Sequence, residues 1–219
     1  MEITQIEIMS QWFELCYDNN VGLKSANEMG QRIVEAYSDS RRHYHTLEHI
    51  SHCLSVIDQV PHPIKEDNDL KFAIWFHDFV YDPKLESNEL QSADIAYQWL
   101  LNLDIANPMH VMKLIQSTAD YHQPPKEEFG YRILHDADLA ILASEEEIYR
   151  SYEKGIRNEY QHLSDAEFFP ARKIFLHGLL AQRPLFALEV FKDQWEEKAR
   201  HNIRSELKRI EKLKSFPLR

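Results

Sequence analysis

A chain of 219 residues with 43% hydrophobic content can bury one ordinary core, and a single domain over residues 1–219 is expected. Its 25 Lys+Arg against 36 Asp+Glu leave a formal net charge of -11, a field that repels a nucleic acid duplex and argues against one as partner. No run reaches the ~18 apolar residues of a membrane span, and Met1-Glu2-Ile3-Thr4-Gln5 shows no basic segment leading into an apolar one, so a cytoplasmic protein with no membrane partner is expected.

Five glycines are too few for a fold built on tight turns, while apolar residues recur at intervals of three and four along most of the sequence. The pattern predicts an all-α protein with helices near 4–17, 26–37, 46–59, 68–80, 88–103, 108–120, 145–161, 165–182 and 186–213. Cys16 and Cys53 fall in the first and third of these without Cys-x-x-Cys spacing, and read as reduced core thiols. Three Ser-x-x-Glu arrangements, Ser25 with Glu28, Ser144 with Glu147 and Ser164 with Glu167, predict capping boxes. Asn107-Pro108 predicts a further start, with Asn as the cap and Pro in the first turn. Breaks are expected at Pro61-His62-Pro63, Asp82-Pro83 and Gln123-Pro124-Pro125. The last segment, Ala187 to Leu213, mixes apolar positions with charges of both signs, which predicts a long amphipathic helix that caps the bundle or meets a second subunit as a homodimer.

Three polar clusters interrupt this pattern. His45, His49 and His52 are spaced i, i+4 and i+7, on one stripe of a helix or at its first turns. Next, the apolar segment Ala73-Ile74-Trp75-Phe76 runs directly into His77-Asp78, two groups that are costly to bury unless a cation offsets their desolvation. Finally, Asp138 lies in Asp136-Ala137-Asp138-Leu139, where an acidic pair precedes an apolar helical run, a placement that the helix dipole also explains. One imidazole of the early stripe, the adjacent His77 and Asp78, and the distant Asp138 form a mixed nitrogen and oxygen set suited to a divalent metal ion such as Mn, Fe, Ni, Zn or Mg. His122 falls between the doublet and Asp138 and reads as a loop histidine following a helix. His135-Asp136 repeats the doublet without the preceding apolar segment and reads as structural.

These residues resemble the HD-domain superfamily of metal-dependent phosphohydrolases over about Arg41 to Leu142, and helices from about 144 to 219 would then form an extension. The string Arg42-His43-Tyr44-His45-Thr46-Leu47-Glu48-His49-Ile50, with Phe76-His77-Asp78-Phe79-Val80-Tyr81 and Asn88-Glu89-x-x-Ser92-Ala93, is similar to a poorly characterised bacterial branch of predicted HD hydrolases. The resemblance implies a helical bundle in which His49 is the first metal ligand, His77 and Asp78 are the name-giving pair, and Asp138 is the closing ligand. For His122 the resemblance to HD proteins implies, beside the loop reading, a second metal or a phosphate. Tyr44-His45-x-x-x-His49 also resembles the Tyr-His-Asn-x-x-His stretch of cyclic-nucleotide phosphodiesterases, which implies a proton donor at His45, with Thr46 in place of the asparagine. His45 and Asp78 are therefore the expected catalytic residues. The expected reaction is hydrolysis of a phosphate ester in a small nucleotide or related phosphorylated metabolite. Arg42 or Lys84 are candidates for phosphate contacts, and Asn88 or Glu89 for orienting water. Two alternatives remain from the same motif: a di-iron oxygenase that recruits His122, and a non-catalytic nucleotide-sensing module.

Overall fold

The computed structural model describes residues 5–60, 64–119, 121 and 128–214. Among these residues the protein is all-helical, with ten α-helices, one 3-10 turn and no strand. The chain divides into two compact units, Met1–Ala119 and Asp120–Arg219.

The first unit holds α1 (Gln5–Asp18), α2 (Leu23–Tyr37), α3 (Leu47–Ile57), α4 (Ile64–Phe76), α5 (Asn88–Leu103) and α6 (Pro108–Ser117). Its centre is α4, which packs against α1, α3, α5 and α6. That explains why Phe72, Ala73, Ile74, Trp75 and Phe76 form an unbroken apolar run: a helix surrounded by neighbours has no polar face. Trp12 of α1 is fully buried against Phe72, Trp75, Phe76 and Trp99, with ring centroids 5.4–6.3 Å away. Its indole N–H donates to the Ala26 carbonyl at 3.0 Å, so the buried polar atom is satisfied. Gly30 permits this approach of α2 to α1, because a β-carbon there would lie 3.1 Å from the Trp12 ring nitrogen. Truncating such a ring costs about 3–5 kcal/mol.

The second unit holds α7 (Phe129–Leu139), a 3-10 turn (Ala140–Ala143), α8 (Glu146–Glu159), α9 (Asp165–Ala181) and α10 (Glu189–Lys214), the predicted long C-terminal helix. α10 packs on the 3-10 turn, α8 and α9. Its buried face is not purely apolar. Glu206 accepts from Arg172 Nε at 2.8 Å and from the Tyr149 hydroxyl at 2.7 Å, and Asn202 donates to the Leu142 and Ser144 carbonyls. Burial disfavours the charged form of Arg172, but Tyr152 and Glu206 outweigh it and hold the guanidinium ionised.

Several local expectations change on folding. Residues 129–139 form a helix that the sequence reading omitted, because its inward face carries His135 and Asp136, which an apolar count scores as outward. Asp138 consequently sits at the end of α7 rather than at the start of a helix, which removes the dipole explanation for it. Ser25 lies inside α2, whose cap is Gly22, and Glu145 rather than Ser144 caps α8. The box at Ser164 does form, with the Glu167 carboxylate accepting from the Ser164 amide at 2.8 Å. Asn107 caps α6 by accepting from the His110 amide. Residues 61–63 and 122–127 lie outside the described residues, and with them the breaks expected at Pro61-His62-Pro63 and Gln123-Pro124-Pro125.

Candidate metal centre

The expected 68–80 helix instead ends at Phe76, which places the doublet in the turn that closes α4. A helix end leaves carbonyls without amide partners, and here side chains supply the donors. The Tyr37 hydroxyl donates to the Trp75 carbonyl at 3.0 Å, and His77 Nδ1 faces the Ile74 carbonyl at 2.9 Å. Arg42 reaches the next two, with Nη1 donating to the Asp78 carbonyl at 2.7 Å and Nη2 to the Phe79 carbonyl at 2.9 Å. Beyond the turn, the Ser92 hydroxyl accepts from the Val80 amide, and the Asn88 side chain bonds the Asp82 backbone on both sides. A short polar turn is thus fixed from three directions.

His49 comes from α3, where it is 3% exposed and shares the inward face with Ile50, Cys53 and Leu54. His45 lies just before this helix, since Thr46 is the cap residue. The imidazole of His45 lies on the Tyr81 ring, with centroids 4.2 Å apart, and its centroid is 5.8 Å from that of His49. No role for Tyr81 was read from the sequence, where it stands as the last residue of the quoted string Phe76-His77-Asp78-Phe79-Val80-Tyr81.

The imidazoles converge. His49 Nε2 and His77 Nε2 are 3.1 Å apart, and Asp78 Oδ2 lies 3.0 Å from His77 Nε2 and 3.5 Å from His49 Nε2. Because His77 Nδ1 faces a carbonyl, which can only accept, the proton of a neutral ring is assigned to Nδ1 and the Nε2 lone pair to the cluster. Burial alone would raise the pKa of Asp78. The neighbouring His77, His45 and His49 imidazoles outweigh that and hold the carboxyl well below its usual range. Two buried imidazole nitrogens facing each other beside an ionised carboxylate are the donors a divalent ion takes, so this cluster could hold one.

In the second unit, the two aspartates of the Asp136-Ala137-Asp138 element differ sharply. Asp136 is fully buried and accepts from the Ala187 and Leu188 amides, both at 2.7 Å, with His135 Nδ1 at 3.0 Å. Its carboxylate oxygens hold backbone. Asp138 is only partly buried and accepts from the Tyr121 hydroxyl. Of the other residues singled out, His122 lies outside the described residues. Arg42 is 8% exposed and engaged with carbonyls, so it is not a phosphate contact. Asn88 holds the loop after the doublet and does not orient water.

Among protein-family models, curated proteins and solved structures, none matches this chain. None of the described helices is long and apolar enough to cross a membrane.

Proposed function

We propose that this chain is a metal-dependent phosphohydrolase of the HD-domain type, acting on a phosphate ester of a small nucleotide or related phosphorylated metabolite. The observation that carries the reading is the convergence of His49 Nε2, His77 Nε2 and Asp78 Oδ2 within 3.5 Å of one another. Such a cluster is expensive to bury without a cation, and the motif resemblance names the same three residues as ligands. The resemblance adds Asp138 as the fourth ligand. The separation of roles between Asp136 and Asp138 agrees with this, because Asp136 is committed to the Ala187 and Leu188 amides while Asp138 accepts from the Tyr121 hydroxyl.

A divalent ion held by these residues supplies Lewis-acid chemistry, activating water and offsetting charge on a phosphoryl group. The chain's own side chains do the rest. His77, with Nδ1 held by the Ile74 carbonyl, keeps a fixed ring orientation. Asp78 stays ionised and fixes the two imidazoles against each other. His45, supported on Tyr81 beside the cluster, is the group that protonates the leaving oxygen.

The test is elemental analysis of freshly purified protein combined with a turnover screen of phosphomonoesters, cyclic nucleotides and nucleoside triphosphates across Mn, Fe, Ni, Zn and Mg. Bound metal and phosphate release from one compound class are expected. Dioxygen consumption by an iron-loaded form without phosphate release would instead identify an oxygenase, and nucleotide binding without turnover of any compound would identify a sensor.

A further inference from the structure

We propose that Arg42 is the positioning residue of the metal centre: it joins the segment carrying His45 to the turn carrying Asp78, and so sets the spacing of ligands that come from distant parts of the sequence. This rests on the ligand set proposed above. Its guanidinium donates to three carbonyls, those of His45 at 3.2 Å, Asp78 at 2.7 Å and Phe79 at 2.9 Å. The first belongs to the bend before α3, and the other two to the turn after α4. The same cation lies over Tyr37, with Cζ 4.8 Å from the ring centroid, and over Tyr81 at 5.4 Å. Both rings already serve the site, Tyr37 by donating to the Trp75 carbonyl and Tyr81 by carrying His45.

The chemistry explains why arginine stands here. Carbonyls on two separate segments need donors spread over a rigid plane, and a guanidinium offers five in a fixed fork. Lysine keeps the charge but concentrates its three donors on one nitrogen, so it can hold one segment at the loss of the other. Through two different nitrogens of one plane, Arg42 bonds the Asp78 and Phe79 carbonyls. Their alignment fixes the backbone on which the Asp78 carboxylate is mounted, within 3.5 Å of both imidazoles. Arg42 also lines a cavity of about 420 Å³ together with Tyr37, Thr46 and Ser51.

The experiment is titration of the full chain, wild type and Arg42→Lys, with Co²⁺ alone, reading the dissociation constant and the visible ligand-field absorption, with circular dichroism for helical content. Removing a group that orients metal ligands typically weakens binding by about 10- to 100-fold. Arg42→Lys is expected to fall in that range and to alter the absorption bands, with helical content kept. Wild-type protein that binds Co²⁺ and a variant that binds equally well with the same spectrum would overturn the role of Arg42 and leave the metal centre standing. Wild-type protein that binds no Co²⁺, or binds it as well after His49→Ala, would remove the metal centre and this role together. Should Arg42→Lys lose its helical signal, Tyr81→Leu decides, because that ring packs on both Arg42 and His45. At least tenfold weaker Co²⁺ binding by folded Tyr81→Leu supports the role, and unchanged binding overturns it.

Discussion

The dipeptide His-Asp occurs twice in this chain, and its two copies have opposite fates. His77-Asp78 closes a helix whose last five residues are apolar and buried, so both side chains leave the helix in a turn and meet His49. His135-Asp136 lies inside α7, so its side chains are carried by helical geometry into the packing of the second unit, where Asp136 takes the Ala187 and Leu188 amides. The same two residue types therefore make a candidate ligand pair at a helix end and a backbone support in mid-helix. What decides is whether the carboxylate's lone pairs meet obligate backbone donors, which hold it permanently, or imidazoles, which can give way to a cation.

The sharpest way to break this comparison is to delete the first pair. His77→Ala and Asp78→Ala should each lose bound metal and phosphate release while helical content stays near that of the wild type, as read by elemental analysis, turnover and circular dichroism. Full metal and turnover in either variant would make this doublet structural too, and the contrast would collapse.

His45 offers the next largest effect. General acid catalysis contributes about 10² to 10⁴ in rate, so His45→Ala should lower turnover within that span and keep the metal. The loss should shrink for a nitrophenyl ester, whose leaving oxygen scarcely needs a proton. An equal loss for good and poor leaving groups assigns His45 to substrate orientation, and loss of metal makes it a ligand.

The second pair should respond in the opposite currency, stability. Asp136→Ala strips the acceptor from two buried amides, and each unsatisfied group costs about 1–3 kcal/mol, so roughly 2–6 kcal/mol should be lost in urea denaturation. A variant as stable as the wild type would show that Asp136 is not the support its hydrogen bonds describe.

A surface counterpart sets the scale. Glu167 holds the Ser164 amide as Asp136 holds Ala187, but in full exposure to water. Ser164→Ala should cost about 1 kcal/mol at neutral pH. The hydrogen bonds from the Ser164 side chain and then its amide lower the pKa of Glu167 below its ordinary 4.5. Their contribution is therefore complete above that ordinary value and fades as pH falls through the lowered one. The difference between wild type and Ser164→Ala in urea midpoint should narrow accordingly in acid, and a pH-independent difference would remove Glu167 from the cap.

Legibility of the fold followed the solvent. Helix α5 runs over Asn88–Leu103, as its spacing predicts, and α6 begins where Asn107-Pro108 says it should. α7 was illegible for the reason that makes its Asp136 informative: a carboxylate with no exposure looks, in sequence, like a residue that faces water. The doublet was legible because two polar groups at the end of a buried run have no packing explanation. Arg42 was visible as a cation beside the motif, but its partners are carbonyls, which carry no residue identity and leave no trace in a sequence.

The sequence by itself determined that the chain is helical, that a long helix closes it, and which histidines and aspartates were worth watching, because periodicity, caps and ligand types are properties of local residues. Tertiary structure decided how those residues are used. It ended α4 before His77, turned Asp136 onto backbone amides and Asp138 toward Tyr121, and engaged Arg42 with carbonyls as many as 37 residues away in the chain. Each of these outcomes depends on which donor or acceptor packing brings within about 3 Å, and a buried polar group takes that partner because leaving it unmet costs more than any local preference.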